Sequence, residues 1–317
     1  MGPLITVAEL RGLLDGQAAR ASEASRGPQG VQGGASALVL LDCGFDLFNT
    51  AAGRAAWEKG HLPGALQADL EAHLSAPKSP RGSIEGGRHP LPRVEDWAQQ
   101  LGKWGIGPDT TVVAYDDQGG CYAARAWWML RWVGHSRVAV LDGGKSAWVA
   151  AGGVLESAAT VAGAIAGSSC NPYPLSTAKP AQSAMRTVAA SELLASLGRV
   201  TLVDARAGER YRGETEPLDA RAGHIPGAVN RFFKDNLRTD GHFKSPEQLR
   251  QEWSPLLPSA QQGGGPDASE VIHQCGSGVT ACHNLLALAH AGLGEGRLYP
   301  GSWSEWSADP ARPCAIG

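Results

Sequence analysis

Long apolar runs are missing from this 317-residue chain. No stretch of about 18 apolar residues occurs, so no membrane-spanning helix is expected. An excess of either charge is missing too: 28 Lys and Arg stand against 31 Asp and Glu, for a net charge of −3. With no basic stripe or polybasic segment, neither nucleic acid nor a membrane surface is an expected partner. Cysteine is sparse, with Cys43, Cys121, Cys170, Cys275, Cys282 and Cys314 scattered along the chain. A disulfide framework is denser and its chain shorter, so reduced thiols in a cytoplasmic compartment are expected. The N-terminus, MGPLITVAELRGLL, lacks the basic segment and long apolar core of a secretory signal. It reads instead as a short helix capped by Thr6, with Glu9 closing the capping box.

What is present is a repeat. LVLLD at 38–42 returns as VTLVD at 200–204, and GHLPGA at 60–65 as GHIPGA at 223–228. VVAYD at 112–116 returns as VIHQC at 271–275, and VLDGGKSAW at 140–148 as LYPGSWSEW at 298–306. Four segments in one order at a nearly constant separation indicate a duplicated domain rather than a solenoid. A hydrophobic fraction of 43% and 317 residues suffice for two cores. The expected division is an N-terminal domain over 1–156, a Pro-bearing linker over 157–184 and a C-terminal domain over 185–317. Residues 15–37 read as a flexible surface insertion, and residues 261–268, with a Gly triplet, as another low-complexity stretch.

Short apolar runs that end at a charged or reactive residue alternate with helical segments: VEDWAQQLGKWG, AARAWWMLRWVG, SPEQLRQEWSPLL and VTACHNLLALAHAGL. This predicts an α/β fold, with a mainly parallel sheet flanked by helices in each half. Ligands of such sheets bind beyond the carboxyl ends of the strands. Asp116 and Cys275 stand there, one per domain. The residues that recur in both halves, His61 with His224 and Asp42 with Asp204, are expected to serve the fold. Trp127, Trp128 and Trp132 are expected in the core or at the domain interface.

After Cys275 comes a short loop, Gly276-Ser277-Gly278-Val279-Thr280, and then a helix. Two glycines allow a tight turn of inward-pointing amides, and the helix N-terminus adds partial positive charge. Such a cradle favours a thiolate and stabilises an anion. Ser277 and Thr280 add hydroxyl donors. A buried structural cysteine is the bland alternative, and the Gly-rich loop argues against it. No metal is expected, because His273, Cys275, Cys282 and His283 lack zinc-site spacing. Cys282 is expected on the core face of its helix.

The loop Cys275-Gly-Ser-Gly-Val-Thr280 resembles the active-site loop of 3-mercaptopyruvate sulfurtransferases of the rhodanese superfamily. GHLPGA, GHIPGA and SWSEW resemble that superfamily's signatures. The resemblance implies two tandem rhodanese-like domains, the first inactive with Asp116 in place of the cysteine. It implies sulfur carried as a persulfide on Cys275 and no cofactor. The donor would be 3-mercaptopyruvate, or alternatively thiosulfate, and the acceptor cyanide, a thiol or thioredoxin. It implies catalytic roles for Ser277 and His89, with an acid at Asp69 or Glu71. It implies substrate binding by Gly276, Gly278, Val279, Thr280 and Arg210. The family's second arginine falls on Leu218, with Arg221 as a substitute three residues on. Two other classes stay open. A cysteine phosphatase would need arginine six residues after the cysteine, where Ala281 stands. A non-catalytic binding module would not need the Gly-Ser-Gly loop.

Overall fold

The apolar five-residue runs become the centres of two sheets. In the computed structural model, which describes residues 1–24, 37–158, 171–175, 185–258 and 267–317, the first half contributes β1 (Leu4–Ile5), α1 (Val7–Ala24), β2 (Leu38–Asp42), α2 (Ala51–Lys59), β3 (Leu66–Gln67), α3 (Val94–Lys103), β4 (Thr111–Tyr115), α4 (Ala123–Trp132), β5 (Val138–Leu141) and α5 (Gly144–Ala150). The second half contributes β6 (Arg186–Thr187), α6 (Ala190–Ser196), β7 (Leu202–Asp204), α7 (Gly208–Tyr211), β8 (Ala228–Asn230), α8 (Pro246–Trp253), β9 (Ile272–Gln274), α9 (Ala281–Ala291), β10 (Arg297–Leu298) and α10 (Ser302–Ala308). The sheet orders are β1-β5-β4-β2-β3 and β6-β10-β9-β7-β8. Every strand pairing in both is parallel. Each residue of β4 is buried, as a central strand covered by helices on both faces requires.

The repeated histidines serve the fold. His61 stacks on Trp57 with ring centroids 4.5 Å apart, and His224 stacks on Tyr211 at 3.9 Å. Their Nδ1 atoms sit 2.7 and 2.9 Å from the carbonyls of those same aromatic residues. Asp42 Oδ1 accepts the Gly44 amide, and Asp204 Oδ1 accepts the Arg206 amide, both at 2.9 Å. These carboxylates fix the turns that follow β2 and β7.

The Thr6–Glu9 box forms in both directions: the Glu9 amide donates to Thr6 Oγ1, and the Thr6 amide donates to Glu9 Oε2. The helix behind it is longer than the sequence suggested. Residues 15–24, read as part of a flexible insertion, continue α1, because its alanines and long polar side chains favour helix. Residues 25–36, most of the linker and residues 259–266 lie outside the described residues. α8 opens on a capping box of Ser245 and Gln248 and ends at Trp253. Pro255 then turns the chain into a 3-10 segment, Ser254–Leu256.

The halves meet through α4 and α9. Trp127 and Trp128 are buried, in an apolar cluster that includes residues from both halves, such as Leu130 and Leu285. At roughly 25 cal/mol per Å2 and ~200 Å2 each, two buried indoles contribute about 10 kcal/mol before ordering entropy. Residues 86–89 also dock on the start of α10. The Arg88 amide donates to Ser304 Oγ at 2.9 Å and the Gly86 amide to Glu305 Oε1 at 3.1 Å. Gly87, at φ 75°, passes so close that a Cβ there would lie 2.3 Å from the Gly301 carbonyl oxygen. A side chain at Gly87 would push the domains apart.

Candidate active site

β9 delivers Cys275 to the seam between the domains, 2% exposed. The Cys275 carbonyl accepts the Trp303 amide at 3.0 Å, and the Gly276 carbonyl accepts the Ser304 amide at 2.9 Å. The Cys275 amide donates to Ser302 Oγ at 3.1 Å. α10 thus ties the loop down by its outer groups. Among the described residues, the amides of Ser277, Gly278, Val279 and Thr280 donate to no protein acceptor. Gly278 is required twice over: its φ is 74°, and a Cβ would fall 2.3 Å from the Pro300 carbonyl oxygen. Ser302 is the one described non-glycine residue with positive φ, at 52°. Its counterpart in the first half is Gly144, at φ 58°. The second domain accepts backbone strain here, and the serine oxygen gained thereby holds the Cys275 amide.

The first domain shows what this turn does with an anion. Asp116 follows β4 as Cys275 follows β9. Its Oδ1 accepts the amides of Gln118 and Gly120 at 2.8 Å, and its Oδ2 accepts those of Tyr122 and Ala123 at 2.9 Å. Four amides converge on one carboxylate, so the strand–turn–helix joint is an anion receptor.

Facing the loop from the first domain is His89, 2% exposed, with Nδ1 2.8 Å from Ser277 Oγ. Burial and the nearby cations Arg88, Arg125 and Lys78 lower its pKa to about 3, so the imidazole is neutral. Neither expected acid hydrogen-bonds to it, although Glu71 lines a neighbouring cavity of about 270 Å3 together with His89 and Arg88. Asp69 Oδ1 accepts the amides of Glu71 and Ala72, closing its own turn, and Glu71 pairs with Lys78 at 3.0 Å. His89 Nε2 is buried without a protein partner. The hydrogen bond observed here is thus that between Ser277 and His89.

Arg210 reaches the site as expected. Its Nη2 pairs with Glu216 at 2.6 Å and with Asp219 Oδ2 at 3.1 Å. Arg221 does not reach it. Its guanidinium donates to the carbonyls of Trp306, Ser307, Asp309 and Arg312, and so ties down the end of α10. A different guanidinium, that of Arg88, stands beside Arg210. Arg88 Nη1 pairs with Asp219 Oδ1 at 2.6 Å, so one buried carboxylate holds Arg88 and Arg210 side by side. Arg88 Nη2 and Arg210 Nη1 lie 3.2 and 3.4 Å from the place a Gly276 Cβ would occupy. Glycine there lets both cations approach the loop. Sequence reasoning missed Arg88, Asp219 and Ser302. Arg88 carried a signal, since it stands beside His89 in GRHPLP.

These groups line a cavity of about 230 Å3 with Leu47, Leu70, Tyr122, Leu218, Phe232 and Phe233 among its apolar walls. Cys275, Gly276, Ser277, Val279 and Thr280 form its floor. The volume is below the roughly 300–1,000 Å3 of sites for drug-sized ligands, which limits the occupant to a small molecule. Gly278 turns the loop from behind. Cys282 is buried, with Sγ 3.4 Å from the Gly278 carbonyl oxygen. Among the described residues no group of three His, Cys, Asp or Glu side chains could hold a metal ion, and no helix is long and apolar enough to cross a membrane.

Comparison with known proteins agrees with this geometry. The rhodanese-like domain family matches twice, at residues 32–151 and 189–309. A Pseudomonas aeruginosa protein named "Probable 3-mercaptopyruvate sulfurtransferase" is 47% identical over 283 residues, covering 88% of this chain and 93% of that protein. Mouse thiosulfate sulfurtransferase is 34% identical, covering 85% of this chain and 84% of its own. The solved 3-mercaptopyruvate sulfurtransferase of Leishmania major is similar with a TM-score of 0.70 at 31% identity, covering 85% of this chain and 70% of that one. With its two parallel sheets, its duplicated strand-end turn and both matched segments, the chain belongs to the rhodanese family of sulfurtransferases.

Proposed function

We propose that this enzyme transfers sulfur from 3-mercaptopyruvate to a thiophilic acceptor through a persulfide on Cys275. The observation that carries the reading is the convergence of two kinds of anion receptor on one small cavity: the amide turn of residues 276–280 and the paired guanidinium groups of Arg88 and Arg210. The donor has two parts to match them. Its carboxylate suits two adjacent guanidinium forks, and its sulfur then lies over the turn.

The Cys275 thiolate attacks the donor sulfur, an S–S bond forms and the C–S bond breaks. The bonding pair leaves on carbon as the enolate of pyruvate. The proton of the donor thiol goes to that carbon, so the products are the persulfide anion and pyruvate. Ser277 Oγ, with neutral His89 Nδ1 behind it, is placed to pass that proton. The amides of the turn stabilise the terminal sulfur anion as Asp116 is stabilised in the first domain. An acceptor (cyanide, a small thiol or thioredoxin) then takes the sulfur, giving thiocyanate in the case of cyanide, and restores the thiolate. Two half-reactions on one nucleophile predict ping-pong kinetics.

In this reading residues 1–156 form an inactive domain that lends His89 and Arg88, and residues 185–317 form the catalytic one. The described cysteines are all free thiols, which suits a reducing cytoplasm. Thiosulfate is the second donor to consider. Its sulfonate would meet the same two arginines, sulfite would leave, and no proton would be needed. Mass spectrometry after incubation with each donor tests the reading. A gain of one sulfur atom on Cys275 is expected. No adduct with either donor would refute it in favour of a binding module.

A further inference from the structure

Arg125 is the third residue of α4 in the inactive domain, and it is fully buried. Its guanidinium donates to backbone carbonyls, Nη1 to Gly278 at 3.0 Å, Nη2 to His89 at 3.2 Å, and Nη2 and Nε to Leu74 at 3.4 Å, and it also meets the Cys282 side chain. Among the described residues no carboxylate pairs with it; the groups whose charge acts on it are Cys282 and Cys275. A buried guanidinium stays protonated, and an uncompensated buried charge is costly. Neutral donors could satisfy the same three carbonyls. Of the two sulfur atoms nearby, burial pushes the Cys282 thiol up to about 12, so Cys282 stays neutral. Gly278, whose carbonyl Nη1 meets, belongs to the loop that follows Cys275, so Arg125 is a buried cation fixed to that loop.

The duplicated domain provides a comparison. The third residue of α9 is His283, and it makes the reciprocal contact, with Nε2 3.0 Å from the carbonyl oxygen of Gly119 in the Asp116 turn. Burial lowers His283 to about 4, so it is neutral. Each turn is therefore met by a side chain from the other domain. The turn already filled by a carboxylate with four amide donors meets a neutral ring, and the turn of the cysteine meets a permanent cation.

We propose that Arg125 is a positioning residue which supplies the fixed countercharge for the anionic sulfur on Cys275, acting through the Gly278 carbonyl. The inference deepens the persulfide reading and rests on it for the loaded state. It gives the inactive domain an electrostatic role in addition to lending His89 and Arg88.

Arg125→Lys keeps the charge and loses the fork, while Arg125→Gln keeps a donor and loses the charge. Thermal unfolding reports the structural loss in each. Iodoacetamide alkylation of Cys275 across pH, followed by mass spectrometry on the full-length protein without any donor, reports the thiolate. The lysine variant is expected to keep the wild-type alkylation profile. The glutamine variant should need about one pH unit more for half-maximal alkylation, the size of one lost charge at an effective dielectric of about 20. Its sulfur loading should be about tenfold slower at neutral pH. An unmoved glutamine profile, or equal shifts in both variants, would reduce Arg125 to a structural staple and overturn the proposal. Arg125→Met serves as the neutral variant if glutamine does not fold. Because alkylation needs no donor, failure of this inference is separable from failure of the donor reading, which shows as an unloaded wild type.

Discussion

Arg88→Ala tests whether the carboxylate site is built across the domain interface. The substitution removes one of two guanidinium groups that Asp219 holds against Gly276. A hydrogen bond to a charged partner contributes about 1.5–3 kcal/mol. At 1.36 kcal/mol per tenfold, KM for 3-mercaptopyruvate should rise roughly 10- to 150-fold. The carboxylate keeps its charge through the reaction, so the contact is made equally in ground and transition states and kcat should change far less. Stability should fall as well, because Asp219 is left buried with Glu216 beside it and one cation fewer. Breaking a fully buried pair costs about 3–5 kcal/mol; Arg88 is 16% exposed, so a smaller loss is expected. Steady-state pyruvate release with cyanide as acceptor, together with thermal unfolding, measures both effects. Leu218 lines the same cavity, so Leu218→Arg added to Arg88→Ala should recover part of the lost affinity. A folded Arg88→Ala enzyme with wild-type KM for both mercaptopyruvate and thiosulfate would refute the reasoning.

Cys275→Ser should lose sulfur transfer and the sulfur adduct while keeping the melting temperature within a few degrees; turnover near wild type would mean that another cysteine carries the sulfur. Ser302→Gly should leave stability within about 1 kcal/mol, since relief of left-handed strain offsets a lost hydrogen bond and added chain entropy. Its kcat/KM should fall because the Cys275 amide loses its anchor, and wild-type activity would show that the anchor is idle. Stability should also fall with acid. Burial, with nearby cations in the case of His89, holds His89 and His273 near about 3 and His283 near about 4, against 6.5 in the unfolded chain. Below pH 6.5 the unfolded state binds more protons, so stability present at neutral pH is lost progressively from pH 6.5 down to those values. At pH 5 each histidine accounts for roughly 2 kcal/mol. Urea unfolding at pH 7 and pH 5 checks this, and equal midpoints would contradict the assigned burial.

The sequence made legible whatever is repeated or locally patterned. LVLLD, VVAYD and VIHQC read as strands, GHLPGA and GHIPGA as paired turns, and the two-glycine loop after Cys275 as a cradle. Short edge strands escaped. Leu4–Ile5 is two residues long, and only its pairing with Val140 and Leu141 makes it a strand. Interactions between segments remote in sequence were also hidden. Arg221 and Arg88 are both arginines near recognisable motifs, and nothing local says which one reaches the cavity. The structure sends Arg221 to the carbonyls at and just beyond the end of α10 and Arg88 across the interface to Asp219. Asp69 and Glu71 were plausible as acids for His89 by proximity in sequence alone. One instead closes its own turn and the other pairs with Lys78, because short carboxylates satisfy the nearest amides and cations first.

In the proposed mechanism the difference between the two domains lies in what fills two similar strand-end turns. In the first, the anion is part of the chain: Asp116 saturates four amides, and no space or charge remains for a ligand. In the second, the strand ends in a sulfur that places no acceptor of its own on the amides of Ser277 to Thr280. The receptor is left for an atom that arrives with the substrate. A side chain that fills its own cradle gives a stable turn, and one that leaves it open gives a site. The cost of the open site is then met from across the interface. His89 reaches Ser277, Arg88 and Arg210 share Asp219 above Gly276, and Arg125 holds the Gly278 carbonyl from beneath. At the matching carbonyl, that of Gly119, the filled turn meets a neutral histidine. The first domain supplies Leu47, Leu70, Arg88, His89 and Tyr122, five of the sixteen residues that line the cavity, so the proposed site is incomplete without it.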